Sequence, residues 1–370
     1  MSSTNEQRLD AALKRFRSHP VISDFREFLL SAPVEELFHI DPTRLARNWN
    51  VPRRTVLEVL LRAVRFGILG MEWAFHCPTC GGVAKESLKL AHTHEQDFCP
   101  VCKYDFRNTL DENVEVFFSV DPEIQKLPAD VKSRYERQIV EDITKGGRHE
   151  WQSSGTIKGV EVLNHPVFRD IFGDETLSLD QSLEIRSATV LFSDVTGSTS
   201  MYERLGDARA YRLIRDHFDL VFRAIDKHDG VPIKTIGDEV MGVFVDEASA
   251  VRAAFDMQDA LTSSNDSRGD GESLTLRIGV HRGPVIAVTL NNQIDYFGRT
   301  VNIAARTQAV SEPGQLSMGE PFFRAPGVKE TLRKRVSQVK RGAVTMKGID
   351  EPIQVYRVTL SQQSGTSTDQ

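Results

Sequence analysis

From Thr55 onward, apolar residues recur with a 3.6-residue period through Val56, Leu60, Val64 and Ile68, and that period predicts a helix. Before it, Leu45 and Ala46 sit on a short helix that Asn50, Val51 and Pro52 break, so this stretch reads as helix, turn, helix, then a strand. The pattern is helical up to about residue 75, and VEVFFSV at 114–120 is a strand candidate. The Gly- and Ser-containing stretch TKGGRHEWQSSGTIKG at 144–159, with the polar residues up to about 185, reads as the connection between two domains. From 187 the pattern changes. The strand ATVLFSD, in which Val190 and Phe192 alternate with Leu191 and Ser193, leads into a long amphipathic helix from about 199 to 228. Next come paired strands VPIKT and VMGVF around IGDE, a helix through ASAVRAAFDMQDAL, a strand LTLRIGVHRG and a helix VNIAARTQAV. Such alternation predicts a sheet domain with helices packed on it. The last ten residues, SQQSGTSTDQ, have nothing to bury, so a disordered tail is expected at 361–370.

A chain of 370 residues is better divided into two domains, each able to bury its own core. An apolar fraction of 40% and a charged fraction of 26% are those of a globular protein. A net charge of -6 argues against wholesale attraction to nucleic acid or membrane. The first twenty residues are polar and charged, and no run approaches the roughly 18 apolar residues of a spanning helix. A cytoplasmic protein without a membrane partner is expected.

The cysteines change the picture. All four, Cys77, Cys80, Cys99 and Cys102, lie in HCPTCGGVAKESLKLAHTHEQDFCPVCKYDF, as two CPxC knuckles separated by 18 residues. Four thiolates in two knuckles supply a closed tetrahedral shell for one structural Zn²⁺. Redox-active thiols would need a thioredoxin-like context, which the segment lacks. His76, His92 and His94 are nearby, but with four thiols available they are expected to be surface residues rather than ligands.

Two carboxylates raise a second chemistry. Asp194 ends a strand, and Asp238 sits in the turn of IKTIGDEVMGVF. Taken singly, each reads as a cap or turn residue. Held together by adjacent strand ends, they would form the hard-oxygen site that Mg²⁺ prefers beside a polyphosphate. The following VTGST offers small residues and a helix start whose N–H groups suit a phosphate. Asn302 and Arg306, spaced i, i+4, point the same way on a helix. Such a pair can orient a sugar and neutralise a phosphoryl oxygen, or can be a solvated surface.

From about 187 to 359 these motifs stand in one order: LFSDVTGST, KTIGDEVM, GVHRGPV, DYFGRTVNIAAR and a late MKG. In that order the chain resembles the catalytic domain of class III nucleotidyl cyclases. The resemblance implies an α+β, ferredoxin-like βαββαβ fold over 186–360. It implies two Mg²⁺ or Mn²⁺ per site on Asp194, Asp238 and the carbonyl of Val195. Lys234 and Asp295 match the pair that selects the base, where guanylate cyclases typically have Glu and Cys; the Lys/Asp combination favours ATP. Asn302 and Arg306 match the residues that orient the ribose and stabilise the charged transition state, and Lys347 matches the lysine on the terminal phosphates. In this family the metal aspartates come from one protomer and the base-selecting pair, Asn and Arg from the other, so a homodimer is implied. No side chain is an evident general base.

The N-terminal half divides into a helical, winged-helix-like segment (1–75), the zinc ribbon (76–106) and a remainder with linker (107–185). It resembles an α/β input domain found before some bacterial cyclases. Arg53 and Arg54 would open the second helix, where a DNA reader places side chains, and six arginines face only Asp41 and Glu58 between 41 and 66. The same motif also serves protein contacts, and an acidic chain disfavours DNA. A regulatory role is expected, with an input that the residues do not name. The leading expectation is an adenylate cyclase that converts ATP to cyclic AMP and pyrophosphate. The alternatives are a guanylate cyclase and a non-catalytic nucleotide- or DNA-binding regulator. A binding-only domain would be expected to lose at least one of Asp194, Asp238, Asn302 and Arg306, and none is lost.

Overall fold

The computed structural model describes residues 3–16, 19–145, 156–173, 175–268, 272–333, 335–345, 349 and 351–360. Contacts divide the chain into two compact units, Met1–Ile185 with Ile286–Asp295, and Arg186–Val285 with Tyr296–Gln370.

The first unit is built on Leu69–His76 and Val114–Val120, paired antiparallel from Leu69↔Val120 to Phe75↔Val114. Val83–Ser87 and Ile157–Lys158 flank them. In the helix-turn-helix, the Asp41 carboxylate accepts from the N–H groups of Thr43 and Arg44, and Pro42 opens Pro42–Trp49. Both features satisfy or remove the donors that a helix start leaves free. Asn50 ends that helix in the left-handed region at φ 51°. Arg53–Arg65 then buries Val56, Leu57, Val59, Leu60, Leu61 and Ala63.

The stretch after 156, read from sequence as part of a connection, is packed structure. Gly159 lies so close to Leu110, Val114 and Trp73 that a Cβ there would fall 2.8 Å from Leu110 Cδ2. Behind it, Val160, Val162, Leu163 and Phe168 are buried. These apolar residues occur in two very short helices, Gly159–Leu163 and Pro166–Ile171, too brief to show a helical period. Residues 146–155 of the expected connection lie outside the described residues, as do Lys347 and the tail 361–370.

The second unit follows the order Leu183–Val195 (β1), Ser198–Leu205 (α1), Asp207–Lys227 (α2), Val231–Ile236 (β2), Glu239–Phe244 (β3), Glu247–Ser267 (α3) and Leu276–Leu290 (β4). There follow Gln293–Phe297 (β5), Arg299–Ala309 (α4) and Gln315–Gly319 (β6), and later Val336–Val344 (β7) and Ile353–Leu360 (β8). The sheet order is β7-β8-β6-β4-β1-β3-β2, with β5 paired to β4. Its β4-β1-β3-β2 part, connected β1-α-β2-β3-α-β4, is the expected ferredoxin-like βαββαβ core. Leu191 and Val195 of β1 and Leu276, Ile278 and Val280 of β4 pack with α2 and α3 through Leu213, Ile214, Ile225, Val251 and Phe255. The alternate residues, Asp194 and Arg277 among them, therefore face the other side of the sheet.

The single helix expected over 199–228 is two helices. Gly206, at φ 75°, lies between α1 and α2. That backbone state suits glycine and stops the first helix.

Candidate functional site

Asp194 and Arg277 sit on the neighbouring strands β1 and β4, and the Arg277 guanidinium pairs with Asp194 Oδ2. Gln308 Nε2 donates to the same oxygen at 3.2 Å. Gln308 gets there because α4 lies directly on β4. A Cβ at Gly279 would fall 2.0 Å from Gln308 N, and one at Gly283 would fall 2.6 Å from Thr300 Oγ1. Four strand residues span about 13 Å and eight helical residues about 12 Å, so the two glycines form a groove matched to the helix. Thr300 Oγ1 closes the contact by donating to Pro284 O at 2.6 Å.

The second carboxylate is presented by the hairpin between β2 and β3. Register Ile236↔Glu239 leaves Gly237 and Asp238 as a two-residue turn, with Gly237 at φ 66°. A first turn position with positive φ favours glycine. Buried His217 on α2 steadies the turn by donating from Nε2 to Asp238 O at 3.3 Å. Burial pushes its imidazole down to about 4, so it is neutral at neutral pH.

Burial raises the Asp194 carboxyl above its ordinary value, and the charge of Asp238 adds to the rise while Arg277 opposes it. Glu239, next to Asp238, is pushed up to about 7 by burial and by the charges of Asp194 and Asp238. Asp238 Oδ2 is buried and has no hydrogen-bond partner. A buried carboxylate oxygen without a donor, beside two more carboxyls, is a costly arrangement that a hard divalent cation would relieve. The residues present thus fit such an ion. Val195, whose carbonyl was expected to join it, is buried at the end of β1. Beyond it, Gly197 at φ 74° starts α1 without a side-chain cap.

The remaining expected residues are distributed differently. Lys234 is on β2, with Nζ 5.0 Å from the centre of the Phe297 ring, a cation–π distance. Asp295 is buried on β5, in the Ile286–Asp295 segment that groups with the first unit. Asn302 is exposed and Arg306 half-buried on α4. The helix turns about 100° per residue, so Arg306 points about 200° away from Gln308, and Asn302 stays with Arg306. The structure therefore brings Asp194 and Asp238 together and turns Asn302 and Arg306 away from them.

Sequence reasoning missed Arg277, Gln308, Glu239 and His217. Only Arg277 carried a visible signal, as a charge inside the apolar run LTLRIGV.

In the first unit, the Sγ atoms of Cys77, Cys80, Cys99 and Cys102 all lie within 4.8 Å of one another. Cys77 and Cys102 are 3.9 Å apart and Cys80 and Cys99 3.8 Å, with no disulfide. Of the neighbouring histidines, His92 and His94 are exposed as expected, but His76 is buried, with Nε2 3.4 Å from the buried Glu115 carboxylate. A tetrahedron with Zn–S bonds of about 2.3 Å has edges of about 3.8 Å, so the cluster fits zinc. Arg53, a candidate DNA reader, is engaged within its own unit. Its Nη1 meets Glu161 Oε2 at 2.6 Å and its Nη2 meets Thr156 O at 2.5 Å. Among the described residues, no helix is long and apolar enough to cross a membrane.

Residues 181–359 match the model of the adenylate and guanylate cyclase catalytic domain. Residues 2–141 match a family of unknown function (DUF5939). The chain is similar to an adenylate cyclase of Anabaena cylindrica, 32% identical over 187 residues, covering 47% of this chain and 37% of that protein. It is also similar to guanylate cyclase 2G of Rattus norvegicus, 28% identical over 196 residues, covering 49% of this chain and 17% of that protein. The chain thus spans well under half the length of these relatives. Among solved structures, the adenylyl cyclase CyaB from P. aeruginosa aligns at 22% identity with a TM-score of 0.43, over 50% of this chain and 98% of that one.

Proposed function

Because residues 181–359 belong to the adenylate and guanylate cyclase catalytic domain family, we propose that the chain is an adenylate cyclase, working as a homodimer under the control of its N-terminal unit. It converts ATP to 3′,5′-cyclic AMP and pyrophosphate. The observation that carries the reading is the pair Asp194 and Asp238, one charge raising the other's pKa, with Asp238 Oδ2 buried and lacking a donor.

Asp194, Asp238 and the Val195 carbonyl would hold two Mg²⁺ or Mn²⁺. Bound there, a divalent cation lowers the pKa of a hydroxyl and offsets phosphoryl charge. Lys234 donates to adenine N1 and the Asp295 carboxylate accepts from the N6 amine, a pairing that a guanine edge would not match. Asn302 orients the ribose, and Arg306 stabilises negative charge that grows as the bond to the leaving group lengthens. Lys347 meets the terminal phosphates, and the uncapped start of α1 offers N–H donors to them. The ribose 3′-oxygen attacks the α-phosphorus in line, gives up its proton, and pyrophosphate departs with the electrons of the broken P–O bond. In the N-terminal unit the four thiolates would hold a structural Zn²⁺, which contributes to folding.

The test is to incubate the folded chain with ATP or GTP and Mg²⁺ or Mn²⁺ and identify the product. Cyclic AMP is expected. Cyclic GMP as the main product would replace ATP by GTP, and no cyclic product under either metal would remove the enzyme reading. Metal analysis of the same preparation should find zinc, and its absence would remove the ribbon reading.

A further inference from the structure

Between β4 and β5 the chain makes a hairpin whose two turn residues, Asn291 and Asn292, both have positive φ, 51° and 58°. That is the backbone of a tight turn matched to the twist of its strands, for which Asn is well suited. This hairpin lies within the sequence matched by the cyclase family, yet residues Ile286–Asp295 cluster with the N-terminal unit. Each arm is fastened there. Thr289 Oγ1 donates to Leu177 O at 2.6 Å. Arg169, on the helix Pro166–Ile171, donates from Nη2 to Ile294 O at 2.5 Å.

Ile294 is the residue immediately before Asp295, and both are buried. Arg169 Nη1 is buried with no bond of its own. Arg169 as a whole is half-buried, and leaving one guanidinium nitrogen buried without a partner carries a cost that the bond to Ile294 O helps to offset.

We infer that Arg169 is a positioning residue for Asp295, through which the N-terminal unit sets how sharply the nucleobase is read. The inference rests on the proposed role of Asp295 as the base-selecting acid. Arg169 acts on the strand and does not touch the base. If the bond to Ile294 O loosens, β5 gains freedom next to Asp295, and the acceptor for the adenine amine is less well placed. ATP then loses affinity while GTP, which does not use that acceptor in the same way, loses less.

The experiment uses the full chain and two non-cyclisable probes, 3′-deoxy-ATP and 3′-deoxy-GTP, titrated calorimetrically. Arg169→Met should lower the ATP-over-GTP affinity ratio about fivefold, the order expected for one lost hydrogen bond. Arg169→Lys, which keeps the charge and some reach, should give an intermediate ratio, and it carries the test if the methionine variant does not fold. In an Asp295→Asn background neither substitution should move the ratio further. A merely structural arginine would weaken both probes alike, leaving the ratio unmoved, and that result overturns the inference. So does an equal fall of the ratio with and without Asp295. If the unaltered chain binds both probes equally, the base-selecting role and the inference fail together. Absence of cyclic product with the ratio behaving as stated would count against the cyclase reading alone.

Discussion

Glu239 follows Asp238 at the start of β3 and shares its field. Burial and the two aspartate charges push its carboxyl from an ordinary 4.5 to about 7. Between those values the folded chain holds a proton that the unfolded chain has lost, so cation-free stability falls as pH rises through the window. Asp194, also raised, adds with the same sign. Glutamine keeps the shape without the charge. Glu239→Gln should therefore raise the thermal midpoint over the unaltered chain by a margin that grows from pH 4.5 to about 7 and then levels. Mg²⁺ should narrow the margin, because a bound cation offsets the field that displaced the proton. A margin independent of pH would show that Glu239 is not held in that field. The case also shows what single residues disclose in sequence. Asp194 and Asp238 stood out because each ended or turned a strand beside small residues. Glu239 and Gln308 gave no such signal, because what sets them apart, burial and the approach of Asp194 from another strand, exists only in the fold.

Elements with a clear period were legible, namely the strands of the βαββαβ core and the helices α3 and α4. The failures have physical causes. Gly206 was absorbed into one helical pattern because a lone glycine weakens a helix without breaking it, and nothing in the sequence marks its positive-φ backbone. The arm β5 and its Asn291–Asn292 turn are too short for alternation to register, and the packed helices after 156 hold fewer than two turns each. The groove of Gly279 and Gly283 was invisible for another reason: each glycine inside a strand reads as a weakness until the helix that needs the space is known. That groove yields a test. Gly279→Ala places a methyl 2.0 Å from Gln308 N, a backbone atom that cannot rotate aside. Relief requires α4 to lift from β4, moving Asn302, Arg306 and Gln308 together. The expected cost is about 1–3 kcal/mol of stability, the range for overpacking, with a fall in cyclic nucleotide production larger than the lost folded fraction explains. Chemical unfolding with a parallel turnover assay measures both, and an alanine variant as stable and active as the parent would mean that the helix does not need this approach.

For the whole molecule the decisive geometry is again on α4. Gln308 donates to Asp194 within one chain, while Arg306 lies about 200° around the helix and Asn302 one turn before it. The buried positions Thr300, Ile303, Ala304, Thr307 and Gln308 fix that orientation, so a rotation bringing Asn302 and Arg306 to Asp194 would expose the packed side. On the proposed reading, in which both sets serve one nucleotide, a second copy of the chain presents the set that faces away from Asp194 and leaves the helix packed. Exposed Ile236 and Phe297, at the ends of β2 and β5, give such a copy apolar surface to cover. Asp194→Ala and Asn302→Ala should each be inactive alone, since every site in either homodimer lacks one set. Mixed and allowed to exchange, they should form heterodimers in which one site has both residues intact and the other lacks both. With random pairing half the dimers are mixed, each with one of two sites working, so activity should recover to about a quarter of the parent's. Recovery should rise with subunit exchange and be lost when both substitutions sit in one chain mixed with itself. Heterodimers that form and remain inactive would place Asn302 and Asp194 at the same site of one chain, against the orientation of α4.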